Sequence, residues 1–388
     1  MKERDGLQVA AVIIPTYNEA GAIGALLEEV AGIASSGSRW RIEVIVVDGC
    51  SEDGTAGIVE AAAARGALRI HLLREPERQG IGAAYCRGFR YAIEEVGADA
   101  VIEFDGDLQH PPSHIPQLLQ ALDDGADYVA ASRRMEGGSE PAGRSAFRKA
   151  LTSLGGGAAR FILFFPHAAF RQVTDPTTGL KATRVAGFAD SLCLDPSRLV
   201  SRGFGYKLQW LSETLRLGAR YREIPLRFQD RRAGRSKFAP PVIADILWTC
   251  AVVRASDPRT KRFIRYAAAG SAGYIVNAAA LALLYRLTGI EALSWALSAE
   301  AAIICNYALN NVWAFGDRRK TGFSSWFGGF LAFNLASLGA IAIEGVFGPL
   351  LTSLVGPSYR QLVLAAVVLF MVVPYNWLMY SRLIWKQR

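Results

Sequence analysis

Charge is scarce in this chain. Asp, Glu, Lys and Arg make up 20% of its 388 residues, against roughly 25% in an ordinary soluble protein. The scarcity is uneven: residues 1–237 read as globular sequence with frequent Arg, Asp and Glu, while from about Phe263 onward long apolar stretches follow one another. Cysteine is sparse too. Cys50, Cys86, Cys193, Cys250 and Cys305 are odd in number, widely spaced and free of any C-x-x-C pair, which argues against a disulfide framework and against a zinc site. Residues 1–10 contain no apolar core of signal-peptide length, so the globular part is expected to stay on the cytoplasmic side. Together these absences exclude a simple cytosolic enzyme and a disordered or fibrous chain. They leave one globular domain followed by a membrane domain.

Four stretches, residues 266–285, 292–315, about 326–350 and 361–381, are each long enough to cross a hydrocarbon core of roughly 30 Å at about 1.5 Å per residue. Arg and Lys lie before the first, between the second and third, and after the fourth, so both termini are expected to face the cytoplasm. The same placement accounts for the net charge of +8 through anionic lipid rather than nucleic acid. Glu300, Asn306, Asn310, Asn311, Asn334 and Glu344 fall inside the apolar stretches, either bonding helix to helix or lining a path for lipid or substrate. Residues 161–165 and 242–253 are apolar but too short to span. They read as interfacial helices or as buried core helices.

The first half alternates β-rich runs (residues 10–14, 42–47, 69–73, 100–104 and 128–131) with helix-period segments (20–33, 55–65, 82–95 and 115–122). Such alternation implies an open, mostly parallel sheet with helices on both faces, and ligands bind such sheets beyond the carboxyl ends of the strands. The chemistry-bearing motifs fall there. Pro15-Thr16-Tyr17-Asn18-Glu19 follows the first strand, and Asp48 opens a Gly/Ser/Thr turn after the second. Arg78-Gln79-Gly80-Ile81-Gly82 opens a helix after the third; its spacing is not a dinucleotide fingerprint, and Gly80 and Gly82 serve either backbone shape or a phosphate at the helix start. Asp105-Gly106-Asp107-Leu108-Gln109 ends the fourth strand. Two carboxylates at i and i+2 with a nearby carboxamide suit Mg2+ or Mn2+ carrying a diphosphate, the alternative being an Asp-rich surface turn.

These motifs in this order resemble glycosyltransferase family 2 with the GT-A fold, and within it the polyprenol-phosphate (dolichol-phosphate) mannose synthases. Further matches are Ser132-Arg133, Phe147-Arg148-Lys149, Asp175-Pro176-Thr177-Thr178-Gly179 and an R-x-x-G-x-S-K pattern in residues 231–237, while the second half resembles the GtrA-type four-helix domain. The resemblance implies a GT-A catalytic domain over residues 1–237, an interfacial segment over 238–258 and a GtrA-like domain over 259–388. It implies that Pro15, Tyr17, Glu19, Val47, Asp48 and Gly106 hold the nucleotide sugar and that Asp105, Asp107 and Gln109 ligate the ion. It further implies that Arg133, Arg148, Arg231, Ser236 and Lys237 hold donor or acceptor phosphates, Arg148 and Arg231 orienting the acceptor. Asp175 and Glu213 are reserve candidates for orienting roles, a cap or core ion pair being the plainer job for Glu213.

The expected reaction is transfer of mannose from GDP-mannose to a polyprenyl or dolichyl phosphate, inverting and metal-dependent. An anionic phosphate acceptor needs no general base. Gly49 and Lys181 depart from the family pattern near nucleotide or sugar, which keeps UDP-glucose or another UDP-sugar open as donor. A translocase of lipid-linked sugars with a merely binding globular domain is the alternative of another class. Intact Asp105, Asp107 and Gln109 speak against it.

Overall fold

The computed structural model describes residues 6–35, 39–141, 146–229 and 240–385. The chain divides into two units, Met1–Arg254 and Ala255–Arg388.

Among the described residues the first unit is built on seven strands, β1 (Gln8–Thr16), β2 (Trp40–Asp48), β3 (Arg69–Arg74), β4 (Ala100–Glu103), β5 (Tyr128–Ser132), β6 (Lys181–Arg184) and β7 (Tyr221–Pro225). They pair in the order β3-β2-β1-β4-β6-β5-β7, all parallel to their neighbours except β6, which runs antiparallel to β4 and β5. Helices α1 (Ala20–Ala34), α2 (Thr55–Ala64), α3 (Ile81–Tyr91) and α4 (Ile115–Asp123) connect the first five strands. Alternate residues of β1 serve different cores. Ala10, Val12 and Ile14 pack with α1, α2 and α4, whereas Val9, Ala11 and Ile13 pack with Tyr85 and Phe89 of α3. Burial on both faces is why β1 and β2 read as continuous apolar runs rather than alternating ones. Each fully buried Ile, Leu or Val contributes about 1.5–3 kcal/mol.

The chain then runs through α5 (Ala146–Phe164), the short α6 (Ala169–Gln172), α7 (Tyr206–Arg216) and α8 (Pro240–Ser256). Tyr206 and Trp210 of α7 join the α3 core, while Leu208 and Leu211 on its other side meet Leu163 of α5 and Ile246 and Cys250 of α8. The apolar runs at 161–165 and 242–253 thus lie in helices, with Phe161, Phe165 and Trp248 exposed. Two strands were not legible beforehand. Inserted between β4 and β5, β6 is buried despite the polar sequence Lys-Ala-Thr-Arg, and β7 is an edge strand with an irregular pattern.

The second unit contains α9 (Pro258–Thr288), α10 (Glu291–Leu309), α11 (Phe323–Val355), α12 (Arg360–Val367) and α13 (Val373–Met379). A π-helical turn over Asn310–Ala314 continues α10, and another over Val368–Val372 joins α12 to α13. By length and composition α9 is long and apolar enough to cross a membrane, with a mean hydropathy of 1.6 over its best 18-residue window. An aromatic core of Tyr307, Phe315, Phe333, Tyr380 and Trp385 ties these helices together, the Phe315 and Trp385 rings lying parallel at 4.5 Å. Asn311 accepts from the Lys320 N–H at 2.8 Å and the Trp385 indole N–H at 3.1 Å, so this buried asparagine joins segments of the unit.

One glycine governs how α3 begins. Gly80 has φ +100°, and a Cβ there would lie 2.6 Å from the carbonyl oxygen of Arg202; the neighbouring Gly82 N–H donates to that same carbonyl at 2.9 Å. Both glycines therefore serve backbone shape. Gly80→Ala is expected to cost about 1–3 kcal/mol, read as a lowered thermal midpoint of the purified full-length chain.

Candidate active site

Three strand ends converge on one cavity of about 390 Å³. From β1 come Pro15, Thr16, Tyr17 and Glu19; from β4 come Asp105, Gly106, Asp107, Gln109 and His110; Gly49 lines it after β2. This is the carboxyl end of a sheet where chain order reverses, with β2 and β3 on one side of β1 and β4 on the other.

The Asp48 carboxylate organises the turn after β2. It accepts from the Thr16 hydroxyl at 3.0 Å, the Ser51 N–H at 3.0 Å and the Ser51 hydroxyl at 2.6 Å. Val47 is buried in the α3 core beside it. Tyr17 packs beneath the Arg78 guanidinium, 4.2 Å from its ring centre.

After β4 the backbone turns tightly, Leu108 taking φ +59° and the Gln109 N–H donating to Asp107 at 3.1 Å. The Asp105 carboxylate accepts from the Tyr85 hydroxyl at 3.4 Å and lies 3.5 Å from Lys207 Nζ and 3.7 Å from His110 Nδ1. Burial opposes its ionisation, but the Lys207 charge outweighs it and, with Lys181 behind, holds the carboxyl below its ordinary pKa. Burial pushes His110 down to about 4, so it is neutral at pH 7. Gly179 closes the site from below, because a side chain there would collide with the Asp105 carboxylate. Two carboxylates with the Gln109 carboxamide, all facing one cavity, are a hard oxygen donor set fit for Mg2+ or Mn2+. Among the described residues no three His, Cys, Asp or Glu converge, so oxygens of a bound diphosphate would complete the coordination of an ion held there.

Beneath Asp105 lies a second buried charge layer. Glu103 of β4 faces Lys181 of β6 in register, with Nζ 3.7 Å from the carboxylate, and accepts from the Tyr206 hydroxyl at 2.8 Å. Burial lowers the Lys181 pKa to about 8, partly opposed by Glu103. Lys181 is thus placed under the site rather than in its lining.

Arg133 lines the cavity, but its guanidinium is gripped by Asp175 at 2.6 and 2.9 Å and by the Thr177 hydroxyl at 3.2 Å. Asp175 therefore positions Arg133, whereas Glu213 accepts from Gln209 on α7 at 3.0 Å and does not line the cavity. The Arg148 side chain, and Arg231, Ser236 and Lys237, lie outside the described residues. Lys207, Glu103 and Glu75 escaped the sequence reading, whereas Lys181 is placed by it near nucleotide or sugar. The signal for Lys207 is a lone cation in the otherwise buried run Tyr206–Leu211, where an unpaired Lys is rare.

An undecaprenyl-phosphate mannosyltransferase from Micrococcus luteus is 33% identical over 234 residues, covering 60% of this chain and 88% of that one. Residues 11–186 match the family described as Glycosyl transferase family 2. The chain belongs to glycosyl transferase family 2. This glycosyltransferase also matches the GtrA/DPMS transmembrane domain over residues 265–385, which marks it as a membrane protein. A dolichol-phosphate mannosyltransferase from Pyrococcus furiosus is 28% identical over 336 residues, 86% of this chain and 88% of that one. Among solved structures, a mannosyltransferase from Pyrobaculum calidifontis in complex with GDP-Man and Mn2+ is a distant likeness, 21% identical with a TM-score of 0.38 over 78% of this chain and 87% of that one.

The Asp175–Arg133 pair makes the glycosyltransferase fold acid-sensitive in a defined window. Burial works against the Asp175 charge, but Arg133 holds its pKa at about 2, below its ordinary 3.8. A depressed carboxylate adds stability above the unfolded pKa that is lost as pH falls through the folded one. Asp175→Asn should cost about 3–5 kcal/mol at pH 7 by stranding the buried guanidinium, and chemical denaturation should show the gap to wild type narrowing between about pH 4 and pH 2.

Proposed function

We propose that the protein transfers mannose from GDP-mannose to a polyprenyl phosphate at the cytoplasmic face of a membrane, in a single inverting, divalent-metal-dependent displacement. The observation that carries this reading is the joint lining of one cavity by Asp105, Asp107 and Gln109 with Tyr17 and Glu19, in a chain whose relatives are named for mannose transfer to undecaprenyl and dolichol phosphates.

An oxygen of the acceptor phosphate attacks the anomeric carbon, the bond from that carbon to the diphosphate breaks, and the nucleoside diphosphate leaves. The acceptor is already an anion near pH 7, so no side chain has to remove a proton. This agrees with His110, neutral and buried behind Asp105, having no proton-transfer role. Asp105, Asp107 and Gln109 would hold the ion, which when bound stabilises negative charge on the departing diphosphate. Lys207, lining the cavity beside Asp105, sets a cation where that charge develops. Arg148, Arg231, Ser236 and Lys237 take the remaining phosphate contacts on the strength of the family motifs, with Arg offering a planar fork and Lys a point charge.

For the membrane we propose four spans carried by α9, by α10 with its π-helical turn, by α11 and by α12–α13, with both termini cytoplasmic. The 31 residues of α9 reach about 46 Å, beyond a hydrocarbon core of roughly 30 Å. Residues 238–258 serve as the interfacial segment, Trp248 of α8 being 66% exposed.

A donor screen with purified full-length protein and polyprenyl phosphate tests the reading: transfer from GDP-mannose is expected, and transfer solely from UDP-sugars would overturn it. Asp107→Ala should abolish transfer; full activity in that variant would overturn the metal assignment.

A further inference from the structure

At the nucleotide end of the cavity stands a carboxylate that the proposed chemistry leaves unused. Glu75 follows β3, and its N–H donates to the Asp48 carbonyl at 2.9 Å, which pins it beside the β2 strand end. Its side chain lines the cavity although the residue is only 8% exposed. No hydrogen bond reaches the Glu75 carboxylate among the described residues, while Asp48 next to it already accepts three. Burial raises the Glu75 pKa, with the Arg87 charge opposing and the Asp48 carboxylate adding to the rise. A carboxylate with no protein donor that faces a cavity takes its hydrogen bonds from whatever fills the cavity, water or ligand.

A Cβ built on Gly49 would lie 3.8 Å from Glu75 Oε2, 3.9 Å from Arg78 Cγ and 3.4 Å from the Thr16 carbonyl oxygen, so these groups border one small space left open by a glycine. Tyr17, with Arg78 over its ring, lines the same cavity. Guanine presents two adjacent donors, N1–H and the N2 amine, spaced as the two oxygens of a carboxylate are. Uracil presents one donor flanked by two carbonyl oxygens, which a carboxylate repels.

Resting on the reading that the donor is a nucleoside-diphosphate sugar, we propose that Glu75 is the specificity residue for the base, accepting guanine N1–H and N2–H on its two oxygens. The sequence signal was hidden because Glu75 belongs to no motif and meets Asp48 only through the β2–β3 pairing.

Competition binding to the full-length protein with GDP, inosine diphosphate and UDP tests this. Inosine diphosphate keeps N1–H but lacks the N2 amine, so wild type should bind GDP about tenfold or more tightly than inosine diphosphate, the loss expected for one hydrogen bond to a charged group. In Glu75→Gln that ratio should fall close to one, while UDP binding stays the same or tightens. Glu75→Asp, one methylene shorter, gives the same comparison if the melting curve shows that Glu75→Gln has lost the fold. An unchanged GDP to inosine diphosphate ratio in these variants would overturn the role of Glu75 and leave the GDP-mannose reading standing. A wild type that prefers UDP to GDP would overturn both.

Discussion

The carboxyl end of the sheet is organised around Asp105, a half-buried carboxylate that faces the cavity. Partial burial of a carboxylate is unfavourable unless cations and donors compensate it, and compensation here comes from two distant parts of the chain. Tyr85 arrives on α3 and Lys207 on α7. Beneath, Glu103 and Lys181 repeat the pairing one layer down, with Tyr206 bonded to Glu103 and its ring stacked on Tyr85 at 5.2 Å. The antiparallel insertion of β6 follows the same logic, since it sets Lys181 opposite Glu103 and brings Gly179 under Asp105.

That architecture explains what sequence could and could not show. Five strands, the helices between them and the motifs at three strand ends were legible, because a doubly covered parallel strand writes a continuous apolar run and the residues after it are local. The segment Asp175–Gly179 was recognisable only by resemblance. Its physical reasons appear in three dimensions, as Asp175 clamps Arg133 and Gly179 makes room for Asp105. Lys207 and Glu75 were illegible as site residues because each meets its partner through tertiary pairing, 105 with 207 and 48 with 75, and the partner of Lys181, Glu103, was hidden for the same reason. In the second unit, hydropathy exposed the helices, but the roles of Asn311 and Trp385 depended on a hydrogen bond across 74 residues.

The scarcity of charge has one source, the apolar helices of the second unit. The first unit has charge in plenty and places part of it in the interior as pairs. Arg133 is paired with Asp175 while lining the cavity, and Lys181 is paired with Glu103 outside the lining. Membership of glycosyl transferase family 2 together with a GtrA/DPMS transmembrane domain gives this charge arrangement its setting, an enzyme of the membrane.

The central claim, that the Asp105–Asp107–Gln109 turn holds a divalent ion together with a guanine nucleotide, is tested most directly by electron paramagnetic resonance of Mn2+ titrated into the full-length protein with and without GDP. The account predicts one bound Mn2+ per chain whose affinity rises with GDP and is lost in Asp105→Asn. Mn2+ binding indifferent to both GDP and Asp105→Asn would contradict it.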